Sequence, residues 1–383
     1  DRARAPVVGF VASGGARMQE GVAALGGYGR IFRRIVQLSG RVPQISIITG
    51  LSAGGGAYSP ALTDYVIMTD ESSMFLTGPG VVREALGEEV TAADLGGTRV
   101  HERNGVCHFV ARTEPDAARL ARELIGYLPR HKDFSPDRRP PRPAPANDRD
   151  PSVHVPTQAR RVYDVRDVIG SIVDAGDFLE ISAGWARNLV TGLARIEGRT
   201  VGVIANQPRY LGGVLDCASS QKGARFVSKC NAFGIPLLVL VDTPGFMPGT
   251  KQEADGVIRF GATLVHAFAE ATVPRVTLIL RKAFGGAFIT MNSKDLGADY
   301  VFAWPRAELG VMGAKPAVGI IHRRELAAAD DRDAAREVLA QRYAEAQLRP
   351  TVAAASGHID ELIAPHETRD RLAWAFRSLE GTI

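Results

Sequence analysis

Two glycine pairs, Gly54-Gly55 and Gly285-Gly286, stand where chemistry without reactive side chains can occur. Each follows a run of strand-forming residues and opens onto small and aromatic ones: Gly56-Ala57-Tyr58 in one place, Ala287-Phe288 in the other. Glycine lets the backbone take positive φ and approach a ligand closely. A helix that starts at such a turn leaves its first N–H groups without intrahelical acceptors, at the positive end of its dipole. Amides so placed hold a carbonyl oxygen that gains negative charge during reaction. Losing one such donor raises a barrier by about 3–4 kcal/mol. Close packing alone also produces Gly-Gly turns, but recurrence at one place in two matching halves favours chemistry.

Side-chain catalysis is poorly represented. Asp242-Thr-Pro-Gly245 has the DxxG form of a nucleotide switch, yet no GxxxxGK[ST] precedes it. There is no HExxH. The eight histidines are scattered without metal-ligand spacing, so no metal is expected. Cys107, Cys217 and Cys230 form neither a CxxC nor a disulfide framework and read as small apolar core residues. No motif places paired carboxylates. The reaction therefore rests on backbone donors and on a base that a ligand brings.

The elements that position these turns occur twice. Val42-Pro43 and Val273-Pro274 each open an apolar strand, and the glycine pair follows the proline by 11 and 12 positions in both. Gly14 and Gly245 each lie 29 positions before the proline, in Ser13-Gly-Gly-Ala-Arg17 and Asp242-Thr-Pro-Gly-Phe246. Asp64-Tyr-Val66 and Asp299-Tyr-Val301 each start a further strand, with Gly78 and Gly313 14 positions beyond the aspartate. Four landmarks in one order point to duplication.

Val7–Val11, Ile45–Ile48 and Val66–Met68 are short and β-branched, as strands buried on both faces are. Helical spacing near Glu20–Leu38 and Leu215–Phe233 predicts amphipathic crossovers, hence an α/β fold with parallel sheets and right-handed connections. The divisions read 1–130, a linker over 131–155 carrying Arg138-Arg-Pro-Pro-Arg-Pro-Ala-Pro145, and 156–383. The linker is expected to be a solvated surface connection. About 80 residues lead into Phe246 but 13 precede Gly14, so roughly 70 residues of the first half are expected to lie outside this chain.

Composition excludes other classes. The 383 residues carry a formal net charge of +4 with acids and bases intermixed, which does not suit nucleic-acid binding. No apolar run approaches the roughly 18 residues of a membrane span, and no signal peptide is visible, so a cytoplasmic location is expected.

At these motifs the sequence resembles the carboxyltransferase β subunits of biotin-dependent acetyl-CoA and propionyl-CoA carboxylases. Ser13-Gly-Gly-Ala-Arg-Met-Gln-Glu-Gly21, Asp242-Thr-Pro-Gly-Phe-Met-Pro-Gly-Thr250, Arg281-Lys-Ala-Phe-Gly-Gly-Ala-Phe288 and Val311-Met-Gly-Ala314 carry the likeness, which runs over essentially the whole chain. The resemblance implies two duplicated crotonase-like domains in a hexamer of paired subunits. Acyl-CoA would lie on the N-domain and carboxybiotin on the C-domain. It implies that Gly54 and Gly55 donate to the thioester oxygen, with Gly14 and Gly15 on the substrate side. Gly286 and Ala287, next to Gly285, would donate to the ureido oxygen of biotin.

Carboxybiotin would be carried by a partner biotin carboxylase and carrier subunit, because this chain has no Ala-Met-Lys-Met site and no ATP-binding module. Aspartate is common two residues after the second site in propionyl-preferring members. Ile289 stands there instead and implies tolerance of acetyl-CoA as well as propionyl-CoA. A decarboxylase subunit of the same fold, acting on malonyl-type CoA, is the alternative. A single-domain hydratase or a non-catalytic scaffold fits the two retained turns less well.

Overall fold

A computed structural model describes residues 1–144, 150–158 and 160–381. Its α/β chain divides into two compact units. The first comprises Asp1–Arg138, Leu179–Ala186 and Ala232–Ile235; the second comprises Arg139–Phe178, Arg187–Asn231 and Pro236–Ile383.

In the first unit, strands β1 (Val7–Ser13), β2 (Gln44–Ala53), β3 (Tyr65–Thr69), β4 (Ser73–Phe75) and β5 (Phe109–Ala111) form one parallel sheet in the order β1-β2-β3-β5, with β4 beside β2. The ten-residue β2 serves two neighbours in turn. Ile45–Ile48 pair with Tyr65–Met68, and Leu51–Ala53 pair with Ser73–Phe75. Helix α1 (Val22–Leu38) joins β1 to β2, and α2 (Gly55–Ala61) leaves β2 at the first glycine turn.

The second unit repeats this frame. After a short strand β6 (Phe178–Glu180) come β7 (Leu189–Ile196), β8 (Arg199–Asn206), β9 (Leu237–Thr243), β10 (Arg275–Phe284), β11 (Tyr300–Ala303), β12 (Glu308–Gly310) and β13 (Glu361–Leu362). Helices α3 (Cys217–Ala232), α4 (Val257–Glu270) and α5 (Gly285–Thr290) fill the places between β8 and β9, between β9 and β10, and after β10. The ten-residue β10 also changes partners, from β11 at Val276–Ile279 to β12 at Lys282–Phe284. β2 and β10 sit at a constant offset of 231 residues, Gln44 to Arg275 and Ala53 to Phe284. In both units the strand preceding that one shifts register near its end, between Val11 and Ser13 and again opposite Ile279 and Ala283. Such irregularities re-aim the chain at sheet ends next to sites.

Two sequence expectations are corrected. β1 is not buried on both faces: Val7 and Phe10 are 45% and 54% exposed. α1 buries no residue fully. β1 is the edge strand, hydrogen-bonded to β2 alone among the described residues, whereas its counterpart β9 lies between β8 and β10. Pairing is also not parallel throughout, because β7 and β8 form an antiparallel hairpin from Leu189↔Asn206 to Ile196↔Arg199. Its two-residue turn has Glu197 at φ 51° and Gly198 at φ 74°, the mirror-image geometry that matches strand twist.

Residues 145–149 of the expected linker lie outside the described residues. The part before them is exposed but fastened to this hairpin. Arg139 N–H donates to Gly198 O at 3.0 Å. The buried Asp174 carboxylate accepts the Glu197 and Gly198 amides at 2.9 and 2.8 Å and the Arg369 guanidinium at 2.6 Å. A Cβ on Gly198 would lie 1.8 Å from Arg139 O, whereas one on Gly176, also at positive φ, would meet nothing within 4 Å. Gly198→Ala is therefore expected to cost about 2–4 kcal/mol, and Gly176→Ala about 1 kcal/mol of backbone strain alone. Thermal unfolding of the two variants checks this; equal losses would show that the fastened segment contributes nothing.

Candidate active site

In the first unit the ends of β1 and β2 come together, and the structure brings Gly14, Gly15, Gly54 and Gly55 to one place. Gly15 takes φ +92°, and a Cβ there would sit 3.1 Å from Ala53 O. Gly54 takes φ +56° and turns the chain from β2 into α2. A Cβ on Gly55 would lie 2.4 Å from the Tyr28 ring, and one on Gly56 would lie 2.8 Å from Ser13 Cβ. Glycine at 55 and 56 is thus imposed by neighbours, not only by conformation.

One donor is corrected. The Gly54 N–H donates to Phe75 O at 3.1 Å, continuing the ladder between β2 and β4. Its carbonyl accepts from Ala57 and Tyr58. The first amides of α2, those without intrahelical acceptors, belong to Gly55 and Gly56. Gly56 is not among the residues that the sequence motifs single out.

The second unit explains the slip. Gly285, at φ +61°, matches Gly54 at the 231-residue offset, so Gly286 matches Gly55 and Ala287 matches Gly56. Pairing Gly54-Gly55 with Gly286-Ala287 displaces one half by a residue. Ala287 is fully buried, and its methyl is tolerated where Gly56 has none to spare. The Phe246 ring approaches the Cβ position of Gly286 at 3.8 Å, which leaves the turn uncrowded. Ile289, on the same short helix, is 50% exposed.

Beneath the second turn lies a buried charged cluster. Asp242, the last charged residue of β9, accepts from Tyr163 Oη at 2.9 Å and from Arg281 Nε at 3.0 Å, both on one carboxylate oxygen. The other oxygen, Oδ1, is buried and has no hydrogen-bond partner among the described residues. Arg281 Nη1 ties down the carbonyls of Pro156, Gln158 and Arg161. Burial raises the Asp242 carboxyl, against the opposing pull of Arg281. Burial, and then the Asp242 charge, raise the Tyr163 phenol well above its ordinary value.

No cysteine among the described residues is poised as a nucleophile. Burial pushes the Cys107 thiol up to about 12 and also raises Cys217 and Cys230, the opposite of an activated thiolate. No cluster of three or more His, Cys, Asp or Glu residues among the described residues could hold a metal ion. The arrangement offers two sets of amide donors, each at a sheet end, suited to oxygens that gain negative charge.

Residues 2–382 match the carboxyl transferase domain family. The chain belongs to that family. It is an enzyme of carboxyl transfer with a crotonase-like fold. It is 49% identical over 375 residues to the methylmalonyl-CoA carboxyltransferase 12S subunit of Propionibacterium freudenreichii subsp. shermanii, covering 97% of this chain and 71% of that one. It is also 49% identical to the propionyl-CoA carboxylase beta chain of Saccharopolyspora erythraea, covering 98% and 71%. The transcarboxylase 12S crystal structure, described as a hexamer assembly with methylmalonyl-CoA bound, superposes with a TM-score of 0.94 at 48% identity, covering 99% of this carboxyltransferase and 73% of that chain. A single-chain, multi-domain long-chain acyl-CoA carboxylase superposes at 0.84 with 32% identity, covering 98% and 37%.

The Asp242 cluster makes a pH-dependent prediction for the carboxyltransferase. A carboxyl whose folded pKa lies above its unfolded value contributes stability that is full below the unfolded pKa and lost as pH rises through the folded one. Arg281→Met removes the compensating charge and is expected to cost about 3 kcal/mol near pH 8. Urea unfolding at pH 5 is expected to show a smaller loss; a loss that grows toward pH 5 would contradict the assignment.

Proposed function

We propose that this chain transfers a carboxyl group between carboxybiotin, carried by a partner subunit, and the α-carbon of a short acyl-CoA. With acetyl-CoA or propionyl-CoA the product is malonyl-CoA or methylmalonyl-CoA. The observation that carries this reading is the pairing of a family match over residues 2–382 with two glycine turns of one geometry, Gly54 at φ 56° and Gly285 at φ 61°.

In the acyl half, the Gly55 and Gly56 amides hold the thioester oxygen as the α-carbon loses its proton, while Gly54 makes the bend and Gly14 and Gly15 flank the substrate. In the second half, Gly286 and Ala287 hold the ureido oxygen, and Gly285 makes the bend. The donor set fits a neutral cyclic urea, because the turn presents backbone N–H groups and no charged side chain that would demand a counter-ion. Carboxybiotin supplies the carboxyl group and, once that has left, the nitrogen that takes the α-proton. This explains why the chain needs no base of its own.

The assembly in this reading is a hexamer of paired subunits served by a biotin carboxylase and carrier. Among the described residues no helix is long and apolar enough to cross a membrane. The three cysteines are free thiols, in keeping with a cytoplasmic location.

Incubating the hexamer with free biotin and methylmalonyl-CoA or malonyl-CoA is expected to give biotin-dependent loss of the carboxyl group. Absence of turnover with both would overturn the reading. In this reading Ile289, apolar and half-exposed beside the second turn, gives tolerance of acetyl-CoA as well as propionyl-CoA. Rates on acetyl-, propionyl- and butyryl-CoA are expected to change in ratio by about tenfold in Ile289→Asp, the scale of one methylene's discrimination. An unchanged ratio would remove Ile289 from the specificity pocket.

A further inference from the structure

The two halves share a strand frame but differ in what packs on the glycine turn. At the 231-residue offset, Ser13 corresponds to Pro244, Gly15 to Phe246 and Tyr28 to Arg259. In the second unit the ring over the middle glycine comes from the strand-end turn, as Phe246. In the first unit it comes from the helix, as Tyr28, whose Cδ1 lies 2.4 Å from the Cβ position of Gly55. Phe32, at 5.9 Å from Tyr28 and 6.0 Å from Tyr58, continues this contact from α1 to α2.

Only Tyr28 brings a hydroxyl. Its Oη lies 3.2 Å from Ser13 Oγ, and Ser13 Oγ accepts the Gly15 N–H at 3.2 Å. A serine hydroxyl has one donor and two acceptor sites, so both contacts can exist at once. Ser13 also fills the space a Cβ on Gly56 would take. One tyrosine therefore touches both turns, the Gly54–Gly56 turn through its ring and the Ser13–Gly15 turn through its hydroxyl. The spacing of the two turns decides where an oxygen held by Gly55 and Gly56 sits relative to the rest of the acyl group. A displacement of about 1 Å can cost a hundredfold in rate.

We propose that Tyr28 and Ser13 are positioning residues for the acyl half of the reaction, an inference that rests on the carboxyl-transfer reading above. They set the distance between the two turns without touching the reacting atoms. The second half, with Pro244 and Phe246, holds its oxygen without such a chain.

The test uses the intact hexamer, free biotin and methylmalonyl-CoA, with Tyr28→Phe, Ser13→Ala and the double variant. Tyr28→Phe keeps the ring on Gly55 and removes only the hydroxyl, so the fold is retained. Each single variant is expected to lower kcat about tenfold with KM for the CoA ester changed less than about twofold. The double variant is expected to fall no further than either single one, because the two groups act as one chain. Wild-type turnover in Tyr28→Phe, a change confined to KM, or multiplying losses in the double variant would each overturn the assignment. Wild-type protein silent with both methylmalonyl-CoA and malonyl-CoA would instead overturn the carboxyl-transfer reading, and this inference with it.

Discussion

Everything at the two sites depends on a helix that begins without acceptors for its first amides. A strand ends, a glycine at positive φ reverses the chain, and the next N–H groups come before any helical bond can form. Such donors cost nothing to reorganise during reaction, since they belong to a buried strand at one end and a helix at the other. That rigidity goes with long strands, β10 buried at eight of its ten residues and β2 at six, each gripped by a second short strand near its last residues. The Gly54 amide shows the division of labour: it completes the ladder to Phe75, so the helix's first amides without intrahelical acceptors are those of Gly55 and Gly56.

The duplication was legible because the landmarks are glycines and prolines, residues that the backbone conformation selects. The spacing from Pro43 to Gly54 and from Pro274 to Gly285 gives the sheet ends directly. What could not be read was which of three consecutive glycines spends its N–H on a neighbouring strand. That depends on β4 returning to β2 some twenty residues later, and Ser73-Met-Phe75 is too short to announce itself. Carrying the 231-residue offset through to Ala287 was the available signal for Gly56.

Burial was the other blind spot. Val7-Val-Gly-Phe-Val11 reads like any strand covered on both faces, because composition reports what a strand can bury and not what lies beside it. The β7–β8 hairpin likewise hid in an apolar run, its turn marked only by Glu197-Gly198. The residues before position 145 looked like solvated linker by their prolines, and they are exposed; their backbone nevertheless hydrogen-bonds to that turn and to Asp174. Proline lacks an amide, but the carbonyl of Pro143 and the amides of Arg139 and Arg142 remain available.

The contrast between the halves follows from these constraints. Once the strand frame is fixed, a flat ring over the middle glycine can come from only two places, the strand-end turn or the adjoining helix. Where the turn supplies it, as Phe246, a Cβ on Gly261 of the helix would sit 3.1 Å from the ring, and Gly286 keeps room above it. Where the helix supplies it, as Tyr28, the turn must shrink to Gly15, whose Cβ position is already 3.1 Å from Ala53 O. Each choice forces a glycine on the opposite element. A duplicated scaffold can thus hold two different oxygens while its strands, bends and donors stay in register.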